Sequence, residues 1–194
     1  MGSREQILAR VKKNKPEGMP LPSVKFFEEY ASENLVQAFS EVLEGVGGKV
    51  VSVSGYAEAK QQILGCYPDK KNVGSSIPEL EMGGLTLDAI DDPHALHQLD
   101  LMLVKGEVGV AENGAIWVSE NSLSHRVSPF ITEHLAIVLE KEKLVWNMHQ
   151  AYSREEVCLE GYGVFIAGPS KTADIEQSLV IGAHGPRSLL VVLI

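Results

Sequence analysis

Apolar residues first recur at helical spacing near residue 35, where Leu35, Phe39, Val42, Leu43 and Val46 share one face, with Ser32 as the expected cap and Gly47-Gly48 as the stop. The β-branched run KVVSVSG at 49–55 then predicts a buried strand, and the stretch from Tyr56 to Leu64 is helical again. Upstream, Ser3 with Gln6 makes a capping box for a helix of about ten residues, ended by a polar, Pro-rich stretch at 15–23 that reads as a linker. After a Gly/Pro-rich middle at 73–84, Asp92-Pro93 opens one helical turn through Leu96 and Leu99, and strand character resumes from Leu101 to Val104. In VGVAENGAIWVS two strand-like runs flank Asn113-Gly114, which predicts a two-residue type I′ hairpin. Leu135 to Leu139, Gly163 to Ala167 and the terminal SLLVVLI are further strands, and Ser153 to Glu156 starts a polar helix. In VFIAGPSKTADIE a strand ends near Ala167, Gly168-Pro169 turns the chain, and Ser170 or Thr172 caps a helix with Asp174 and Glu176 in its first turn. The alternation of period predicts the α/β class: a mostly parallel sheet flanked by helices, with an antiparallel hairpin insertion. The expected organisation is a helical arm and linker over 1–23 and one domain over 24–194.

Composition narrows the class without changing it. With 194 residues, 44% apolar and 22% charged, the chain is long enough for one core and has neither a disordered nor a fibrous bias. Seventeen basic against 26 acidic residues leave a formal charge of −9, which repels nucleic-acid phosphates and anionic lipid. The basic cluster Arg10, Lys12, Lys13 and Lys15 reads as the solvated end of the first helix. Cys66 and Cys158 stand 92 positions apart with no CxxC or Cys/His spacing, so no cofactor motif is recognised, no metal site is expected, and any redox centre is expected on a partner. No signal-peptide pattern or membrane-length apolar run occurs, and the cytoplasm is the expected address.

Candidate chemistry concentrates in the second half. In an open α/β sheet ligands usually sit beyond the C-terminal ends of the strands, and the Gly168-Pro169-Ser170 bend with Thr172 and Asp174 fits such a position. It reads either as a plain capped connection or as a ligand loop, and it lacks the GxxxxGK[ST] phosphate pattern. His184, between two glycines in GAHGP, either fastens its loop or serves as a general acid or base, pairing with a carboxylate such as Asp174. His94 and His97 have metal-like spacing without an obvious third ligand, and a surface role is expected. Glu112 beside Asn113 is either a solvated hairpin tip or a base or nucleophile with an amide to receive an oxyanion. Arg126 has the planar fork that clamps a carboxylate, and His134 stands at the mouth of a strand.

In chain order GVAENGAIWV, Arg126, TEHLAIVL, IAGPSKTADIE and GAHGP resemble the pattern of the lactate-utilisation protein C family (LutC/YkgG, the LUD domain), over roughly residues 100–194. The GPSxTxDIE to GxHGP pair is its most specific element, and Ala115 stands where the family often places Thr. The resemblance implies a NagB/RpiA/CoA-transferase-like fold and a component of a system oxidising L-lactate to pyruvate beside iron-sulfur partner proteins. The leading reading adds a small anionic ligand at the GPSKTADIE and GAHGP loops, with Glu112 and His184 as catalytic candidates. Ligand contacts are then expected from Asn113, Gly114, Arg126, His134, Gly168, Pro169, Ser170, Thr172, Asp174 and Gly185. Two other readings stay open: acyl transfer through a Glu112 thioester, as in some CoA transferases, and a module that senses a small acid without changing it.

Overall fold

The structure is a computed structural model that describes residues 2–29, 34–158, 161–173 and 179–194. In chain order the first elements are helices α1 (Ser3–Asn14), α2 (Lys25–Glu29) and α3 (Leu35–Gly45), strand β1 (Lys49–Ser52), helix α4 (Tyr56–Cys66) and strand β2 (Val73–Ser75). Then come β3 (Leu101–Lys105), β4 (Val108–Val110), β5 (Ala115–Ser119), α5 (Ser128–Ile131), β6 (His134–Leu139) and β7 (Leu144–Val145). The chain continues with α6 (Met148–Tyr152), α7 (Glu155–Cys158), β8 (Gly163–Ile166), β9 (Lys171–Ala173), β10 (Leu179–Ile181) and β11 (Ser188–Leu193). Among the described residues five parallel strands run in the order β1-β11-β6-β3-β2; a second sheet, β7-β4-β5-β8, is antiparallel at β4-β5 and β5-β8 and parallel at β4-β7; β9 and β10 form a separate antiparallel pair. This is the α/β architecture with an antiparallel insertion that the pattern predicts.

The two-residue period of the strands sorts their side chains into two cores. Leu135, Ile137 and Leu139 of β6, with Leu189, Val191 and Leu193 of β11, pack against Phe39 and Leu43 of α3 and against Ile116 and Val118 of the second sheet. The alternate residues Ala136, Val138, Leu190 and Val192 face Ala59 and Ile63 of α4. Burial on both faces explains why these strands read as continuous apolar runs. The outer face of the second sheet buries Val108, Val110 and Ala115 against Ala151 of α6 and Val157 of α7. Among the described residues no helix is long and apolar enough to cross a membrane.

Three local expectations change. The Ser32 cap lies outside the described residues, and Asn34 Oδ1 accepts the Gln37 N–H at 3.0 Å instead. At the first helix the cap is Gly2, whose N–H donates to the Glu5 carboxylate at 3.0 Å, so Ser3 already lies inside the helix. The hairpin closes with Val110 opposite Ala115, a four-residue connection rather than two, because the N–H groups of Ala111 and Glu112 continue pairing with the carbonyls of Val145 and Trp146. Gly114 supplies the positive φ of +68°, and a Cβ there would stand 3.1 Å from the Leu43 Cα. Replacing Gly114 by Ala therefore combines left-handed strain with a backbone clash, and we expect a loss of about 2 kcal/mol or more in a urea unfolding titration. A midpoint equal to wild type would show that the hairpin tip can move away from α3.

Candidate functional site at the strand N-termini

The residues just before four parallel strands meet at one rim of the sheet. Asn72 precedes β2, Leu99 and Asp100 precede β3, Thr132 and Glu133 precede β6, and Arg187 precedes β11; together they line a cavity of about 630 Å³. Backbone bonds stitch these segments to one another. The N–H of Asp100 donates to the Asn72 carbonyl at 3.0 Å, that of Glu133 to Leu99 at 3.1 Å, and that of Arg187 to Glu133 at 2.8 Å. The Asp100 carboxylate accepts the N–H groups of Lys71 and Asn72 at 3.1 and 2.9 Å, while buried Thr132 donates its hydroxyl to the His134 carbonyl at 2.8 Å. Residues 182–185 form another wall. The Ser170 N–H donates to the Pro186 carbonyl at 2.8 Å, and the Gly182 N–H to the Ser170 carbonyl at 3.0 Å. A Cβ on Gly185 would lie 3.0 Å from that of Ser170, a closeness that suits glycine.

Glu133 is the hub of the charges. Its Oε2 receives Lys70 Nζ at 2.8 Å and its Oε1 receives Arg187 Nη1 at 2.9 Å. The Lys70 bond, chiefly, holds its carboxyl below the usual range. The Asn72 N–H, first among several causes, does the same for Asp100. Behind the rim a polar chain runs between the layers: Tyr67 Oη lies 2.9 Å from Ser188 Oγ, which lies 2.7 Å from His134 Nδ1. Burial first, and then Lys70, pushes the His134 imidazole below its ordinary value of 6.5, and burial raises the Tyr67 phenol. With the imidazole neutral and Nε2 turned to Glu133 Oε1 at 3.7 Å, the Nε2–H tautomer suits the site; Ser188 Oγ then donates to Nδ1 and is left to accept from Tyr67.

The structure brings the Ser170 and His184 segments together. His184 and Gly185 line the cavity, and Ser170 holds their loop. Gly168, with φ +77°, and Pro169 pack instead beside Val46 and Gly47 at the end of α3. Thr172 donates its hydroxyl to the Val180 carbonyl at 3.3 Å within the β9-β10 pair. With Ser170 as the cap, the expected helix is instead a strand at 171–173, since its backbone groups pair with 179–181; a helix capped by Thr172, with Asp174 and Glu176, lies outside the described residues. Glu112, Asn113 and Gly114 do not line this cavity. The Glu112 carboxylate accepts the Met148 N–H at 2.7 Å and the Asn113 side chain accepts the Ala115 N–H at 3.0 Å. Arg126 lies outside the lining as well, bonded to Glu120 and placed over the Tyr162 ring. His97 lines the cavity with Nδ1 2.8 Å from the His94 carbonyl, and no metal-ligating group of three appears among the described residues. Asn72, Asp100, Glu133 and Arg187 escape a reading that looks to the C-terminal ends of strands; their signal is a polar residue in the position before a strand.

The depressed His134 value fixes a pH dependence. The unfolded chain binds the extra proton first, so His134's contribution is complete above about 6.5 and is lost as the pH falls through the folded value. Glu133, also depressed, loses its contribution only below 4.5. Urea midpoints should therefore decline in the upper window for wild type and decline less there for His134→Asn; equal slopes would contradict the neutral imidazole.

Comparison with known proteins accords with this architecture. The family model described as the LUD domain matches residues 92–194. Lactate utilization protein C of Halalkalibacterium halodurans is 27% identical, over 89% of this chain and 84% of that protein. An uncharacterised protein of Neisseria meningitidis serogroup B is 24% identical, over 100% of this chain and 94% of its own length. The crystal structure of a DUF162-family protein from Deinococcus radiodurans superposes with a TM-score of 0.66 at 19% identity, covering 82% of this chain and 95% of that one, and so shares the fold. With the family model spanning more than half of its length, the chain belongs to the LUD-domain family.

Proposed function

We propose that this protein acts in lactate utilisation, as a component of a system oxidising L-lactate to pyruvate, and that it holds a small organic anion at the rim of the parallel sheet beside iron-sulfur partner proteins. The name of the relatives supports the pathway. The observation that carries the site is a cavity of about 630 Å³ in which Arg187, His184 and Asn72 sit together. Arg187 spends Nη1 on Glu133, and its remaining guanidinium N–H groups have no partner among the described residues. A planar fork of this kind is suited to a carboxylate. His184 likewise has no hydrogen-bond partner among the described residues and stands where it can exchange a proton with a hydroxyl or keto oxygen of the bound acid. Lys70 and Asp100 fix the frame around them.

Two measurements test this reading. A reconstituted system lacking only this chain should lose lactate-dependent electron transfer, and unchanged turnover would remove the proposal. Arg187→Ala should weaken binding of L-lactate or pyruvate, followed by NMR saturation transfer, about 10- to 100-fold, the effect of losing a charge-assisted hydrogen bond. Equal binding by the variant would move the anion elsewhere.

A further inference from the structure

The first 27 residues carry seven of the eleven large apolar side chains that the described residues expose: Ile7, Leu8, Val11, Met19, Leu21, Phe26 and Phe27. Helix α1 contains no buried residue, so it gains nothing from its own body. On its surface Ile7, Leu8 and Val11, 58, 53 and 61% exposed, fall within one third of a turn, and Arg10 and Lys12 flank them on either side. The chain is anchored at α2, where the Phe27 ring stacks on His149 with centroids 4.7 Å apart and the Phe27 carbonyl accepts Asn147 Nδ2 at 2.7 Å. Between α1 and α2 lie residues 15–24, which can span about 30 Å when extended.

The charge is divided as sharply as the apolar surface. Residues 1–15 hold Arg4, Arg10, Lys12, Lys13 and Lys15 against Glu5, a net +4, so the rest of the chain carries −13 of the total −9. Residues 72–104 contain no Lys or Arg. Within them Glu79, Glu81, Asp88 and Asp91 are exposed and have no ion-pair partner among the described residues. Two adjoining hollows of about 180 and 360 Å³ share Ser75, Glu81, Asp88 and Ser124, and Met82, Leu85 and Leu87 add apolar lining to the first. The groove thus offers apolar contact beside the Glu81 and Asp88 carboxylates, with Lys60 Nζ spent on the Glu81 backbone carbonyl at 2.9 Å, and so suits an apolar stripe flanked by cations.

We propose that α1 docks through Ile7, Leu8 and Val11 into the Glu81–Asp88 groove of a second copy of this chain, with Arg10 and Lys12 meeting the acidic rims. Reciprocal exchange of the two arms closes a two-fold dimer. Charge complementarity supports that partner: the acidic surface of one copy repels another, and the basic arm, which buries no residue on its own body, offsets that repulsion.

Sedimentation equilibrium on the full chain tests this. Wild type should be a dimer that weakens with added salt. Arg10→Glu/Lys12→Glu and Glu81→Lys/Asp88→Lys should each weaken self-association about tenfold or more, since like charges then oppose one another. Mixing the two variants should restore a dimer, because the reversed arm then meets the reversed groove and the native arm the native groove. A wild-type monomer, which points to docking within one chain or to a different partner, a dimer that survives both reversals, or variants that remain monomeric when mixed would each overturn the proposal.

Discussion

Burial of β6 and β11 on both faces is the constraint from which the rest follows. Their side chains from Leu135 to Leu139 and from Leu189 to Leu193 are buried without interruption, which leaves no place for a polar group along the strands. Polar chemistry is displaced to the strand ends, and at the N-terminal rim the residues before β2, β3, β6 and β11 adjoin because those strands do. The cavity is therefore a consequence of strand order. Loops anchored to the stiffest part of the molecule then hold Glu133, Asp100 and Arg187 where a flexible surface would let them drift.

The chain Tyr67, Ser188 and His134 solves the problem that the same burial creates. His134 and Ser188 are the first residues of their strands and stand opposite each other in register. Each would be a partly buried polar group in need of a partner, and they satisfy one another, with Tyr67 from the end of α4 completing the set. Among the described residues no buried side-chain polar atom is left without a hydrogen bond.

Legibility followed the locality of the cause. The apolar runs at 101–104, 135–139 and 188–194 announced their strands, because burial on both faces writes itself into consecutive residues. The face of α3 was visible for the same reason: Phe39 and Leu43 recur at helical spacing. By contrast, residues 171–173 have helix-start chemistry and become a strand only because 179–181 return beside them, a pairing that local pattern does not encode. The same limit hid the site. Asp100, Glu133 and Arg187 each sit before a recognisable strand, yet β1 and β2, consecutive in sequence, lie at opposite edges of the sheet, so strand order and the meeting of those residues follow from tertiary packing. His184 was legible because two glycines and a proline around a histidine are a local signature.

The pairing at Glu133 bears on how such a rim can receive an anion without losing its order. Two cations share one carboxylate, but unequally: Lys70 is 24% exposed at its side chain and Arg187 is 65% exposed. The screened, outer pair is the weaker of the two, since solvent competes for an exposed guanidinium. If Arg187 turns to an incoming carboxylate, Lys70 still neutralises Glu133 from the inside, and the backbone bond from the Arg187 N–H to the Glu133 carbonyl keeps the segment in place. On the proposed reading, the inner pair would preserve the scaffold while the outer cation engages the anion, a division of labour that a single ion pair does not provide.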